Sequence, residues 1–95
     1  MSVSESFLDM FNDVMKDDLF MSLKDKELIA LGIAIAEGCQ PCIKTHIEKC
    51  IKAGAVRNEM VGAAEVAVVM RGGPAFMQLD YVARTIDRLL ENQNV

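Results

Sequence analysis

The chain has 95 residues, with ten basic and fourteen acidic side chains and a net charge of −4. This charge excludes binding modes that depend on nucleic-acid phosphates, because no basic surface can displace counterions. Hydrophobic residues make up 52% of the sequence, which argues against disorder. The longest apolar stretch, residues 28–36, is shorter than the ~20 residues of a membrane span, and the acidic N-terminus is unlike a signal peptide. We expect a single cytoplasmic domain over residues 1–95, with no nucleic-acid or membrane partner.

The apolar content is high for a chain of this size. A domain this small buries only roughly 60–65% of its unfolded surface, so part of the hydrophobic surface is expected to stay exposed in a single copy. Subunit interfaces would cover such surface. We therefore expect a homo-oligomer, with a well-packed monomer as the alternative.

The first two predicted elements are helices. The first ends near Asp17 and has one apolar stripe at helical spacing. The segment after it, residues 18–22, is expected to pack against the body of the protein. Ser22 and Asp25 resemble a capping box, and the second helix runs from there to Glu37, with Gly38 as its C-terminal cap. This second helix is apolar on almost all sides, which predicts a central, buried helix.

Three further helices complete the predicted fold. Pro41 marks the start of the third helix and Gly54 its end. The fourth covers about residues 58–71, and the Gly-Gly-Pro sequence at 72–74 interrupts the chain. A fifth helix is predicted over Ala75–Leu90, followed by a polar tail at 91–95 that frays. The sequence therefore predicts an all-α fold of about five helices.

Three cysteines, Cys39, Cys42 and Cys50, lie within twelve residues. An odd number in a cytoplasmic chain does not suggest a disulfide framework. Cys39 is predicted at the entry to the third helix and Cys42 in its first turn, where the helix dipole lowers a thiol pKa. His46 follows Cys42 by one turn on the same face and can exchange a proton with a thiol. This pattern is typical of a redox site.

Other interpretations of the cluster remain open. The four residues Cys39, Cys42, His46 and Cys50 form a zinc-like string, although Cys42 and Cys50 are separated by roughly 12 Å along a helix, which is too far for one tetrahedral ion. A partial zinc site of the first three residues remains possible. The sequence Cys-Gln-Pro-Cys resembles a thioredoxin motif without its βαβ setting. Cys50 fits a core position between two isoleucines, and the CxxC residues could be core residues as well.

Residues 26–46, KELIALGIAIAEGCQPCIKTH, are similar to the alkyl hydroperoxidase D-like group of the carboxymuconolactone decarboxylase superfamily. The group is recognised by a glutamate, a CxxC motif and a histidine four residues after the second cysteine. Glu27, Cys39, Cys42 and His46 match those positions, and the sequence MRGGPA at 70–75 resembles the glycine-rich break before the last helix of these proteins. The resemblance covers most of the chain in helix order.

The resemblance implies an all-helical trimer or hexamer and a thiol-based antioxidant oxidoreductase that reduces hydroperoxides or disulfides. Cys42 would attack and Cys39 would resolve, while Glu27 and His46 would relay protons. Thioredoxin-type reasoning favours Cys39 as the nucleophile instead, so the order stays open. No cofactor or metal is expected, and an external dithiol, a lipoyl or thioredoxin-like protein, would regenerate the site. Family members often carry His or Tyr where this chain has Pro41, so a small thiol–disulfide oxidoreductase is as well supported as a peroxidase for large hydroperoxides.

Helix geometry allows a limited check on Glu27. In a hairpin of the second and third helices, Glu27 lies ~9 Å along the axis from the level of His46. Obliquely crossing helices would permit contact with His46, directly or through water, but not with Cys39. The alternative is an exposed glutamate in the first turn of its helix, with Glu37 as the acid of the site.

Two other function classes remain as alternatives to the oxidoreductase. One is a carboxymuconolactone decarboxylase-like lyase that does not use thiols. The other is a non-catalytic helical assembly module, with or without zinc.

Overall fold

The computed structural model describes residues 2–93, and every regular element in this range is an α-helix. Five helices have 12 to 15 residues and one, α5, has four, so the predicted all-α fold of about five helices is confirmed. Within residues 2–93, no helix combines the length and the hydropathy required to cross a bilayer. The helices are α1 (Val3–Val14), α2 (Leu23–Glu37), α3 (Gln40–Lys52), α4 (Arg57–Arg71), α5 (Gly73–Phe76) and α6 (Leu79–Gln93).

Helix α2 lies at the centre of the fold. It packs against α3 on one side and α4 on the other, while α6 packs across α3 and α4. The buried positions of α2 recur at helical spacing (27, 31, 34 and 35). Fully buried Leu31 and Ile35 of α2 and Ile43 and Ile47 of α3 belong to the same hydrophobic core. This core fixes the relative positions of α2 and α3.

Helix α2 is central, as predicted, but the single chain does not bury every side of it. Ile29 and Ile33 are 51% and 58% exposed, because α3 and α4 together cover only part of the helix circumference. These two residues line an apolar groove between α2 and α4, together with Gly62, Val66 and Met70 among others. The fold therefore leaves a hydrophobic face open.

Helix α1 lies outside the core and contains no buried residue. Its predicted apolar stripe exists, but side chains such as Phe7 and Met10 remain more than half exposed. The helix ends at Val14, three residues before the predicted end. Lys26 Nζ holds this end of the helix by donating to the carbonyl oxygens of Val14 (2.7 Å) and Lys16 (2.9 Å).

The segment between α1 and α2 does not pack down as expected. Leu19 and Phe20 are almost fully exposed, because the turn is organised by the Asp18 carboxylate instead. That carboxylate accepts from the amides of Phe20 (2.8 Å) and Met21 (3.1 Å) and from Lys26 Nζ (2.7 Å). The predicted cap of α2 is present, with Ser22 Oγ accepting from the Asp25 amide.

Two glycines shape the turns beside the central helices. Gly38 ends α2 with φ +70° and Gly72 ends α4 with φ +79°. Residues that have a Cβ rarely adopt this backbone conformation. The predicted fifth helix is interrupted: α5 is a single turn, and the Gln78 amide bonds back to the Ala75 carbonyl before α6 begins. Helix α6 then continues to Gln93, so the predicted fraying is wrong for residues 91–93. Residues 94–95 lie outside the described range.

Candidate functional site

The two cysteines of the CxxC motif meet at the start of α3. Gly38 turns the chain out of α2, Cys39 is the N-cap of α3, and Cys42 lies in the first turn. The sulfur atoms are joined as a disulfide, and the two Cα atoms are 5.3 Å apart, within the usual range for such bonds. The structure therefore brings the two predicted thiols together on one side of the helix entry.

The start of α3 favours negative charge on sulfur. No side chain caps the first turn, so its amides and the positive end of the helix dipole are available to an anion. Pro41, in that first turn, has no N–H to contribute. When the disulfide is reduced, a thiolate at Cys39 or Cys42 is stabilised by this environment.

His46 and Glu27 form a second part of the site. Helix α2 places Glu27 on its buried stripe, where the residue is 3% exposed. Its Oε1 atom lies 2.8 Å from Nδ1 of His46, which projects from α3 one turn beyond Cys42. The alternative of an exposed Glu27 is therefore wrong, and the pair forms through direct contact. A buried carboxylate in this position fixes the orientation of the imidazole ring.

One open pocket contains the disulfide and the histidine. Its volume is about 490 Å³, and its lining includes Cys39, Cys42 and His46 together with Glu37, Ile33 and two alanines of α2. Cys42 is exposed, whereas Cys39 is half-buried. Glu37 is an exposed residue at the edge of the site. A small molecule in this pocket would reach the sulfur atoms and the imidazole at the same time.

Cys50 does not belong to this site. It is fully buried in the core, as predicted, and its pKa is raised to about 12, mainly by burial and also by the negative charges of Glu27 and Glu59. In residues 2–93, no group of three or more His, Cys, Asp and Glu side chains is arranged to hold a metal ion. Cys50 thus stays a protonated core residue.

Sequence reasoning missed two residues that contact the CxxC segment. Gln40 Nε2 donates to Gln78 Oε1 (3.1 Å), and Tyr81 Oη donates to the Gln40 carbonyl oxygen (3.3 Å). Gln78 and Tyr81 follow Gln40 by 38 and 41 residues in the sequence, so no local spacing indicates these contacts. The packing of α6 against α3 brings them to the site.

The chain is similar to several known proteins. It is 30% identical over 64 residues to an uncharacterised protein of Cupriavidus necator, a match that covers 67% of this chain and 57% of that protein. It is 27% identical over 88 residues to an uncharacterised protein of the cox locus of Paracoccus denitrificans, covering 93% and 78%. The chain thus spans just over half the length of the first of these relatives.

Solved structures share its fold. A crystal structure of a Thermotoga maritima protein superposes with a TM-score of 0.87 at 24% identity, covering 96% of this chain and 93% of the other; that protein is described as a carboxymuconolactone decarboxylase family protein with a possible involvement in antioxidative response. The apo form of a Legionella pneumophila protein of the same family superposes with a TM-score of 0.78 at 32% identity, covering 94% and 76%.

The family assignment comes from the sequence match as well as from the fold. The sequence profile of the carboxymuconolactone decarboxylase family matches residues 3–85, a range that includes both cysteines, the histidine and the glutamate of the pocket. The chain belongs to the carboxymuconolactone decarboxylase family.

Proposed function

We propose that this protein is a thiol-based oxidoreductase that reduces hydroperoxides or disulfides through Cys39 and Cys42. The observation that carries the proposal is the shared pocket, in which a Cys39–Cys42 disulfide lies beside a histidine held by a buried glutamate. A structural disulfide requires no proton donor next to it, whereas a redox cycle does. The antioxidative role suggested for the Thermotoga maritima protein is in line with this chemistry.

With a hydroperoxide, the reduced form would react in two steps. The thiolate of Cys42, the more exposed cysteine, attacks the terminal peroxide oxygen and the O–O bond breaks, giving a sulfenic acid on Cys42 and an alkoxide. His46, oriented by Glu27, supplies the proton that converts the alkoxide to an alcohol. Cys39 then attacks Sγ of Cys42, the S–O bond breaks, and water leaves as the disulfide closes.

With a disulfide substrate, the same cysteines would exchange bonds directly. The Cys42 thiolate attacks one substrate sulfur to form a mixed disulfide, and the other substrate sulfur leaves as a thiol after protonation. Cys39 then displaces the bound half and closes the ring. In both cases an external dithiol, such as a lipoyl or thioredoxin-like protein, returns two electrons and two protons to the pair. This cycle is suited to a reducing compartment such as the cytoplasm.

The test is a turnover assay with three substrates: hydrogen peroxide, a bulky organic hydroperoxide and a model disulfide. We expect turnover that is lost in Cys42→Ser and Cys39→Ser and retained in Cys50→Ala, the matched control for removal of a thiol outside the pocket. Equal, slow rates for the wild type and Cys42→Ser would refute the proposal. Lactone decarboxylation that persists without both cysteines would favour a lyase, and stoichiometric zinc that blocks the thiols would favour an assembly module.

We also propose that the protein assembles with copies of itself through the α2–α4 groove. The single chain has an accessible surface of 6353 Å², whereas a monomeric protein of 10.5 kDa exposes about 5,400 Å². The excess of about 900 Å² is close to the roughly 800 Å² that each partner contributes to a standard interface. Exposed apolar side chains of α1 and of the groove form part of this exposed surface.

Sedimentation analysis tests the assembly. We expect an oligomer for the wild type, and dissociation toward monomer in Val66→Glu, which places a charge in the groove. The control is Val56→Glu, at a valine of similar exposure (58% against 63%) outside the groove. A wild-type monomer at micromolar concentration, or equal effects of the two substitutions, would contradict assembly through this face.

A further inference from the structure

The segment between the two cysteines is held from one side by the start of α6. Gln40 is tied to Gln78 through its side chain and to Tyr81 through its carbonyl oxygen. The side-chain amide of Gln78 also lies close to Gly38, because a Cβ added at Gly38 would be 3.7 Å from Gln78 Nε2. Gln40 therefore contacts the segment at the start of α6, and Gly38 lies close to the residue just before this helix.

These contacts are separate from the proton relay and contribute little to the core. Gln40 is exposed, and Gln78 and Tyr81 are half-buried, so water can replace each hydrogen bond at small cost to the folded state. What the contacts restrict is the backbone of the short ring that the disulfide closes. A CxxC disulfide forms readily only when this backbone keeps the two sulfur atoms within bonding range.

We propose that Gln78 and Tyr81 are positioning residues that stabilise the Cys39–Cys42 disulfide relative to the dithiol. This inference rests on the proposed function, in which the pair cycles between the two forms. Reduction adds two electrons and two protons from an external dithiol, breaks the S–S bond and frees the sulfurs to separate. A segment already fixed by α6 gains little freedom on reduction, so the disulfide is favoured.

The consequence is a defined direction of change. Removing either contact lets the dithiol relax, lowers the equilibrium constant for disulfide formation and makes the pair a stronger oxidant. The change in that constant cannot exceed the strength of the contact removed, so the loss of one hydrogen bond of ordinary strength decreases it by at most about tenfold. A tenfold decrease equals about 30 mV in the reduction potential of a two-electron couple.

The experiment equilibrates the full-length protein with mixtures of reduced and oxidised glutathione and measures the oxidised fraction by acid quenching, alkylation and mass spectrometry. The variants are Gln78→Ala and Tyr81→Phe, the second of which removes only a hydroxyl and remains a valid test if the first does not fold. The control is Arg84→Ala, because Arg84 is an exposed residue of α6 whose side chain pairs with Asp80. We expect both test variants to shift toward the dithiol and the control to match the wild type.

The outcomes separate this inference from the proposed function. Equilibrium constants in both variants within twofold of the wild type, or a shift toward the disulfide, would overturn the positioning role while the redox function stands. A wild-type pair that cannot be reduced and re-formed reversibly would instead remove the proposed function and this inference with it. A loss of thermal stability without a change in the equilibrium constant would assign the contacts a purely structural role and also overturn the proposal.

Discussion

The contact between Glu27 and His46 leads to the sharpest prediction. Replacing Glu27 by Gln keeps the size of the side chain and its ability to hydrogen-bond Nδ1, but removes the negative charge. If the carboxylate stabilises the protonated imidazole during proton transfer, the substitution weakens a charge-assisted hydrogen bond in a site where Glu27 is 3% exposed. The folded protein should remain intact, because no core volume is lost.

The expected magnitude follows from the strength of such bonds. A hydrogen bond to a charged group contributes about 1.5–3 kcal/mol and a neutral one about 0.5–1.5 kcal/mol, so the replacement loses the difference of about 1–1.5 kcal/mol. Each 1.36 kcal/mol corresponds to about tenfold in rate. Turnover of a hydroperoxide by Glu27→Gln should therefore fall by about 5- to 12-fold, without a matching loss in the amount of the Cys39–Cys42 disulfide formed by a chemical oxidant.

The matched control is Glu37→Gln. Glu37 lines the same pocket and its loss changes the net charge equally, but it is exposed. Stopped-flow measurement of the reduced proteins with hydrogen peroxide gives the comparison directly. An unchanged rate in Glu27→Gln would refute the relay, and equal losses in the two variants would show that the total charge of the pocket matters rather than the contact with His46.

Three further predictions concern other parts of the molecule. Cys50, with its burial and a pKa of about 12, should react with iodoacetamide only after unfolding, and labelling of the native protein at neutral pH would contradict its place in the core. The pKa of Asp18 is lowered to about 2, mainly by the Lys26 side chain and then by backbone amides. Its contribution to stability is therefore complete above the ordinary pKa of 3.8 and is lost as the pH falls through 2. The melting temperature of Asp18→Asn should lie below that of the wild type near neutral pH and converge with it in acid. Gly72→Ala should destabilise the fold by about 1–3 kcal/mol because of the positive φ, whereas Gly73→Ala, next to it and without a positive φ, should have a smaller effect in denaturant titrations.

The fold was predictable from the sequence where helical periodicity and end signals coincide. Ser22 and Gly38 mark the two ends of α2 by a cap and a left-handed glycine, and both marks appear in the structure. The last helix was misplaced because residues 75–90 carry a helical pattern that hides the turn at Met77 and Gln78. Neither turn residue is a proline or glycine, and the turn is closed by backbone hydrogen bonds from the Met77 and Gln78 amides to the Gly73 and Ala75 carbonyls, which no sequence signal marks.

The candidate site was predictable in part. The positions of Cys39, Cys42 and His46 follow from spacing along one helix, and the structure brings these residues into one pocket. The burial of Glu27 could not be derived with the same certainty, because α2 is apolar on almost all sides and its sequence does not indicate which face meets α3. In the structure, α2 packs against α3 with the Glu27 side of the helix, and Glu27 is therefore the partner of His46.

The open face of α2 connects the two proposals about this protein. Ile33 lines the apolar groove with α4 and also the pocket that contains the disulfide. A second copy that covers the groove would therefore border the pocket and narrow the approach to Cys42, so the assembled protein would admit small oxidants more readily than bulky ones. For this reason Val66→Glu, if it separates the copies, should change the ratio of rates for a bulky hydroperoxide and hydrogen peroxide, although Val66 itself lies outside the pocket. Dissociation without any change in this ratio would show that assembly and access to the sulfur atoms are independent.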